Sequence, residues 1–145
     1  MIFKFTKYIL FLFIFIPCTL YALNKEGNFE SKAELDNFIS MTLKKMAKEI
    51  NSQTPIMIDA DTQMNSVLVL DKTMNITMRL INLSSTNADI NYINKYIWNN
   101  VNDLACKSEA TRHLMDYGVT YVYIYFGNDD HLITRVVLDK YDCNK

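Results

Sequence analysis

The sequence predicts an α+β domain: one antiparallel sheet of about four strands with helices packed on one face, in the order α-β-β-α-(α)-β-β. Three observations predict it. Apolar residues recur at helical spacing over Leu35–Ile50 and again over Ile90–Leu104. Alternation with the strand period marks Met74–Leu83 and Val119–Phe126. The strands fall in pairs separated by helices, which suits helices gathered on one side of a sheet. A length of 145 residues bounds one domain, and 50% hydrophobic residues with 3 Gly and 2 Pro exclude a disordered, collagen-like or linker chain.

The first helix is expected over Lys32–Asn51. Ser31-Lys32-Ala33-Glu34 has the form of a capping box, and Leu35, Phe38, Ile39, Thr42, Leu43, Met46 and Ile50 form its inner stripe. Pro55 turns Thr54 toward extended geometry. The run Ile56–Thr62 then ends in Asp59, Asp61 and Thr62, of which Asp59 and Thr62 are expected to fold a turn by bonding to nearby backbone. Val67–Leu70 reads as a strand, Asp71–Thr73 as a turn, and Met74–Leu83 as a half-solvated return strand. A polar loop leads to the helix with Ile90, Ile93, Ile97, Val101 and Leu104 inward. Ser108 caps a short third helix that Gly118 stops. Val119–Phe126 and Leu132–Leu138 form a hairpin around Gly127–Asp130, and Arg135 and Asp139 guard the sheet edge.

Residues 1–22 read as a secretory signal peptide, leaving 23–145 as the single α+β domain. Lys4 and Lys7 form the positive end, Ile9–Ile16 the apolar stretch, Pro17 a break and Ala22 a small residue before the cut. That apolar stretch falls short of the ~20 residues of a spanning helix, so no stable membrane span is expected after cleavage. Pro17 and Ile16 before Cys18 do not suit lipidation. The address is therefore periplasmic or secreted. Removing Lys4 and Lys7 takes the net charge from -1 to -3, so no broad basic surface points to nucleic acid.

Cleavage leaves Cys106 and Cys143, an even count that predicts one disulfide in an oxidising compartment. Against a metal reading, Cys106, His113, His131 and Cys143 lack paired ligand spacing. Against a nucleophile reading, a break near Lys107–Ser108 separates Cys106 from His113.

The segments Pro55-Ile56-Met57-Ile58-Asp59-Ala60-Asp61-Thr62 and Gly118–Tyr125, with Cys106 and Cys143, resemble a loose family of small exported Gram-negative proteins of unassigned function. The resemblance spans the first helix to Cys143 and implies no activity.

No GxSxG, P-loop, GxGxxG, HExxH or CxxC motif is present, so no catalytic residue, metal or cofactor is expected. The sharpest binding candidate is the strand stripe Tyr121, Tyr123 and Tyr125. With helices over the Thr120, Val122, Ile124 and Phe126 side, the tyrosines would face outward as an aromatic surface for a partner. The plainer reading is cross-strand packing against Ile133, Arg135 and Val137. The expected function is thus a non-enzymatic exported interaction protein: a secretion accessory, an inhibitor or a secreted effector, with a protein partner in the periplasm or outside the cell. The alternative is a small exported hydrolase using acids near Asp59 with His131 as base, beside Asp129 and Asp130.

Overall fold

The computed structural model describes residues 29–87 and 89–144. The signal peptide expected over 1–22 lies outside them. The elements run α1 (Lys32–Asn51), β1 (Ile56–Met57), β2 (Thr62–Leu70), β3 (Thr73–Leu80), α2 (Ile90–Lys107), α3 (Glu109–Asp116), β4 (Thr120–Phe126) and β5 (Leu132–Leu138), closed by a 3-10 turn at Asp142–Asn144.

The helix ends form where their capping residues lie. Ser31 Oγ accepts from the Glu34 N–H at 3.1 Å, Asp89 Oδ1 from the Tyr92 N–H at 3.1 Å and Ser108 Oγ from the Thr111 N–H at 3.3 Å. The reciprocal arm of the capping box is displaced by one residue: Glu34 Oε2 accepts from the Glu30 N–H at 2.8 Å. Gly118 follows α3 at φ 87°, the left-handed conformation that a side chain resists. A Cβ there would also lie 2.9 Å from Lys72 Nζ. That ammonium donates to Asp36 Oδ1 at 2.7 Å and to the Tyr117 carbonyl at 3.0 Å, joining α1, the β2–β3 turn and the end of α3.

The α+β class holds, and the expected sheet needs two corrections. It has five strands in the order β1-β2-β3-β4-β5, and it is mixed: β3 and β4 are parallel, while the other pairs are antiparallel. The parallel pair follows from the connection. The chain leaves β3, passes through α2 and α3 and returns to the same end of the sheet, the long crossover that a parallel neighbour requires. The added strand β1 pairs Ile56 with Met64 and Met57 with Gln63. Pairing with β1 and β3 also extends β2 back to Thr62, beyond the expected Val67–Leu70.

All three helices pack on one sheet face. Ile39, Leu43, Ala47 and Ile50 of α1, Ile97, Val101 and Ala105 of α2, and Met115 of α3 share a core with Val67, Val69, Met74, Ile76, Met78, Val136 and Leu138. Helix α1 lies over β2, and α2 lies over β5. Asn51 fixes the first of these contacts. Its Nδ2 donates to the Val67 carbonyl at 2.7 Å, and its Oδ1 accepts from the Val67 N–H at 2.7 Å, just past a bulge between Met64 and Ser66. Asn51→Ala leaves both backbone groups of a buried residue without that partner. It should cost about 1–3 kcal/mol, read as a lower urea midpoint with an unchanged slope.

Candidate functional site

The tyrosine stripe sits where register dictates. Parallel pairing sets Tyr121 beside Met74, Tyr123 beside Ile76 and Tyr125 beside Met78. Across the hairpin they oppose Leu138, Val136 and Thr134. All of these side chains share the helix-covered face. Tyr121 is 7% and Tyr125 6% exposed, and Tyr123 is half-buried against the same core. The expectation of an outward aromatic surface at Tyr121, Tyr123 and Tyr125 is therefore corrected: their face looks into the protein. Burial pushes the Tyr123 phenol up to about 12 and raises those of Tyr121 and Tyr125 as well, because the phenolate would lose its hydration.

That burial makes the fold sensitive to alkali. An unfolded tyrosine ionises near pH ~10, below the folded value, so unfolding releases protons above that pH. The stability contributed by the neutral phenols is whole below pH ~10 and falls as pH climbs toward and past 12. A titration followed by tyrosinate absorbance should show these phenols ionising together with loss of the near-ultraviolet circular dichroism of the folded core. Ionisation of every tyrosine with that signal intact would contradict the burial.

The face turned away from the helices is the open one. Leu68, Asn75, Val122 and Val137 form one row across β2, β3, β4 and β5. Leu68 and Leu70 are each 59% exposed and Val137 46%. Val122 is buried within the row, and Ile124 and Phe126 are half-buried beside it. Charge enters this face at Arg135, opposite Ile124. The run Val67-Leu68-Val69-Leu70 concealed the surface in the sequence, because both of its faces are apolar.

The residues of the hydrolase alternative are occupied with turns. Asp59 Oδ1 accepts from the Asp61 and Thr62 N–H groups at 2.8 and 2.7 Å, and Asp61 Oδ1 accepts from Asn82 Nδ2 at 2.5 Å. Asp129 Oδ2 accepts from the Ser85 hydroxyl and N–H at 2.7 and 2.9 Å, while its Oδ1 faces the His131 N–H at 3.3 Å. The Ser85 hydroxyl, first among these partners, holds the Asp129 carboxyl below the usual carboxylate range. The exposed His131 ring packs its Nδ1 2.8 Å from the Asp129 carbonyl. Asp130, at φ 60°, pairs with Arg79 at 2.8 Å. These groups gather at one end of the sheet, where the Asn128 N–H meets the Leu83 carbonyl and the Ile81 N–H meets the Asp61 carbonyl. Among the described residues, no group of three or more His, Cys, Asp or Glu could hold a metal ion. A cavity of about 280 Å³ opens instead between α3 and Lys140–Cys143, and its lining includes none of Asp59, Asp61 and His131.

Cys106, at the end of α2, is joined to Cys143 in the 3-10 turn by a disulfide. Their Cα atoms are 5.2 Å apart. Among the described residues no helix is long and apolar enough to cross a membrane.

The fold is similar to that of several solved proteins. A Pseudomonas aeruginosa protein described as secreted matches with a TM-score of 0.62 at 19% identity, over 74% of this chain and 95% of its own. The type II secretion system pilotin AspS of Vibrio cholerae matches at 0.62 and 13% identity, over 77% and 97%. EpsS, the pilotin of the Vibrio vulnificus type 2 secretion system, matches at 0.62 and 13%, over 77% and 96%. No family model and no curated protein sequence matches the chain.

Proposed function

We propose that this chain is an exported, non-enzymatic accessory protein of a secretion system, and that it works by binding a protein component of that assembly. The observation that carries the reading is the fold: nearly the whole length of two type II secretion pilotins superimposes on it. The signal-peptide pattern of residues 1–22 and the disulfide agree with an oxidising location outside the cytoplasm. The partner takes the sheet's open face, where Leu68, Leu70 and Val137 offer apolar area beside Arg135.

The test is genetic. Deleting the gene should leave proteins that normally reach the medium trapped in the periplasm, and the intact gene should restore their release. A Leu68→Ser, Leu70→Ser, Val137→Ser protein should be exported, fold with an unchanged urea midpoint and fail to restore release. Unchanged secretion in the deletion strain overturns the function, and full rescue by the triple variant overturns the surface.

Export carries its own expectation. The mature chain starts at Leu23, so the intact mass of protein taken from the cell envelope or medium should lack Met1–Ala22 and carry no lipid. A retained leader or an acylated Cys18 refutes it.

A further inference from the structure

We infer that the Cys106–Cys143 bond is a redox-sensitive latch, opened in the folded protein by an external dithiol that enters the cleft between α3 and Lys140–Cys143. The inference is independent of the secretion reading above. It begins with access. Cys143 lines the cleft of about 280 Å³, while Cys106 belongs to α2 and is absent from that lining. Cys143 is therefore the half of the bond that borders the cleft. Both cysteines are half-buried, so the bond is not sealed within the core.

The cleft's lining balances in formal charge, Arg112 and Lys140 against Glu109 and Asp116, with His113 beside them, so any pull on an anionic attacker is local. Glu109 lies 3.6 Å from His113 Nε2, whereas Arg112 makes no ion pair among the described residues. A thiolate approaching Cys143 gains attraction from the guanidinium, the setting in which cysteine chemistry is favoured.

The chemistry is exchange. One thiolate of the dithiol attacks Cys143 Sγ and forms a mixed disulfide, and Cys106 Sγ leaves as a thiolate that takes a proton. The second thiolate of the reagent then attacks its own sulfur in the mixed disulfide and releases Cys143. Two electrons pass to the protein, both cysteines end as thiols, and the reagent ends as its disulfide. The fitting partner is a dithiol oxidoreductase with a two-cysteine active site.

Opening has a local consequence. Asp139–Asp142 folds on itself: the Asp142 N–H donates to the Asp139 carbonyl at 3.1 Å, the Asp139 N–H to Asp142 Oδ2 at 3.1 Å and the Tyr141 N–H to Asp139 Oδ1 at 2.8 Å. The disulfide fixes this folded segment to α2. Reduction frees the segment and the last turn of α2 while the sheet keeps its register.

The experiment treats folded, oxidised mature protein with dithiothreitol, quenches by alkylation and counts modified cysteines by mass. The rate should be proportional to reagent concentration, indifferent to urea well below the unfolding midpoint, and lower at high salt. Arg112→Gln should slow it roughly fivefold without moving the midpoint. Hydrogen exchange after reduction should rise at Asp103–Lys107 and Asp142–Asn144 and stay constant in β2 to β5. A rate that climbs with urea in parallel with global unfolding overturns access through the cleft. An Arg112→Gln rate equal to the native rate overturns the charge argument, and exchange rising across the whole sheet overturns the latch.

Discussion

Replacing Tyr121 and Tyr125 with Ser together should leave no folded domain in water. Each ring is buried, Tyr121 between Met74 and Leu138 and Tyr125 between Met78 and Thr134 of the neighbouring strands. Truncating a buried aromatic ring costs about 3–5 kcal/mol, from lost transfer energy and the cavity that remains. The two sites lie four residues apart on one strand, roughly 13 Å, so their costs should nearly add. A total of about 6–10 kcal/mol matches the whole stability of a typical domain. The measurement is a urea melt followed by circular dichroism: the double variant should show no folded baseline. Tyr121→Phe with Tyr125→Phe keeps the rings and should keep a cooperative transition. Tyr92→Ser, on a residue 67% exposed, should move the midpoint little. A stable Ser double variant would return the stripe to the surface.

That experiment bears on the element whose orientation the sequence concealed. Along Val119–Phe126 both alternating sets are apolar or aromatic, so hydropathy alone favours Val122 and Ile124 inward. The deciding information was present in β3, where Met74, Ile76 and Met78 alternate with Asn75, Thr77 and Arg79. Strand β3 therefore has one clear inner face, and β4 inherits it through the pairing of Met74 with Tyr121. Using that inference needs the neighbour and the register, and an antiparallel hairpin order supplies neither. Tyrosine then fits the inner face because its ring contributes large apolar area to the core.

What was legible rests on local chemistry. Ser31 and Ser108 mark helix starts because each supplies an oxygen to an orphan N–H, and Gly118 marks an end because it accepts φ 87°. Asp59 and Thr62 form a turn through bonds within a few residues. Strand β1 was missed because two residues carry no period and gain strand form only by pairing with Met64 and Gln63. The exposed surface was illegible for a related reason. Leu68 and Leu70 look like core residues beside Val67 and Val69, and only the placement of α1 on one side decides which pair stays outside.

Removing the disulfide as Cys106→Ala with Cys143→Ala should cost about 3–4 kcal/mol and lower the melting temperature by roughly 10–20 °C, with the fold retained. The two residues are 37 positions apart. The loop they close contains α3, β4 and β5, so the bond restricts the unfolded chain across the part of the protein that supplies the last two strands and one sheet edge. Loop-closure entropy for that length gives the stated cost in the chain-entropy model. Folding should survive because the most buried part of the core contains neither cysteine, Cys143 being only partly buried against it: Leu43, Met115, Val119 and Leu138 are each at most 1% exposed. The comparison that isolates the cross-link is reduced, alkylated native protein, whose urea midpoint should fall near that of the Ala variant and well below that of the oxidised protein. If instead the Ala variant melts at the oxidised midpoint, the unfolded chain is already compact around this loop, and the bond serves some end other than stability.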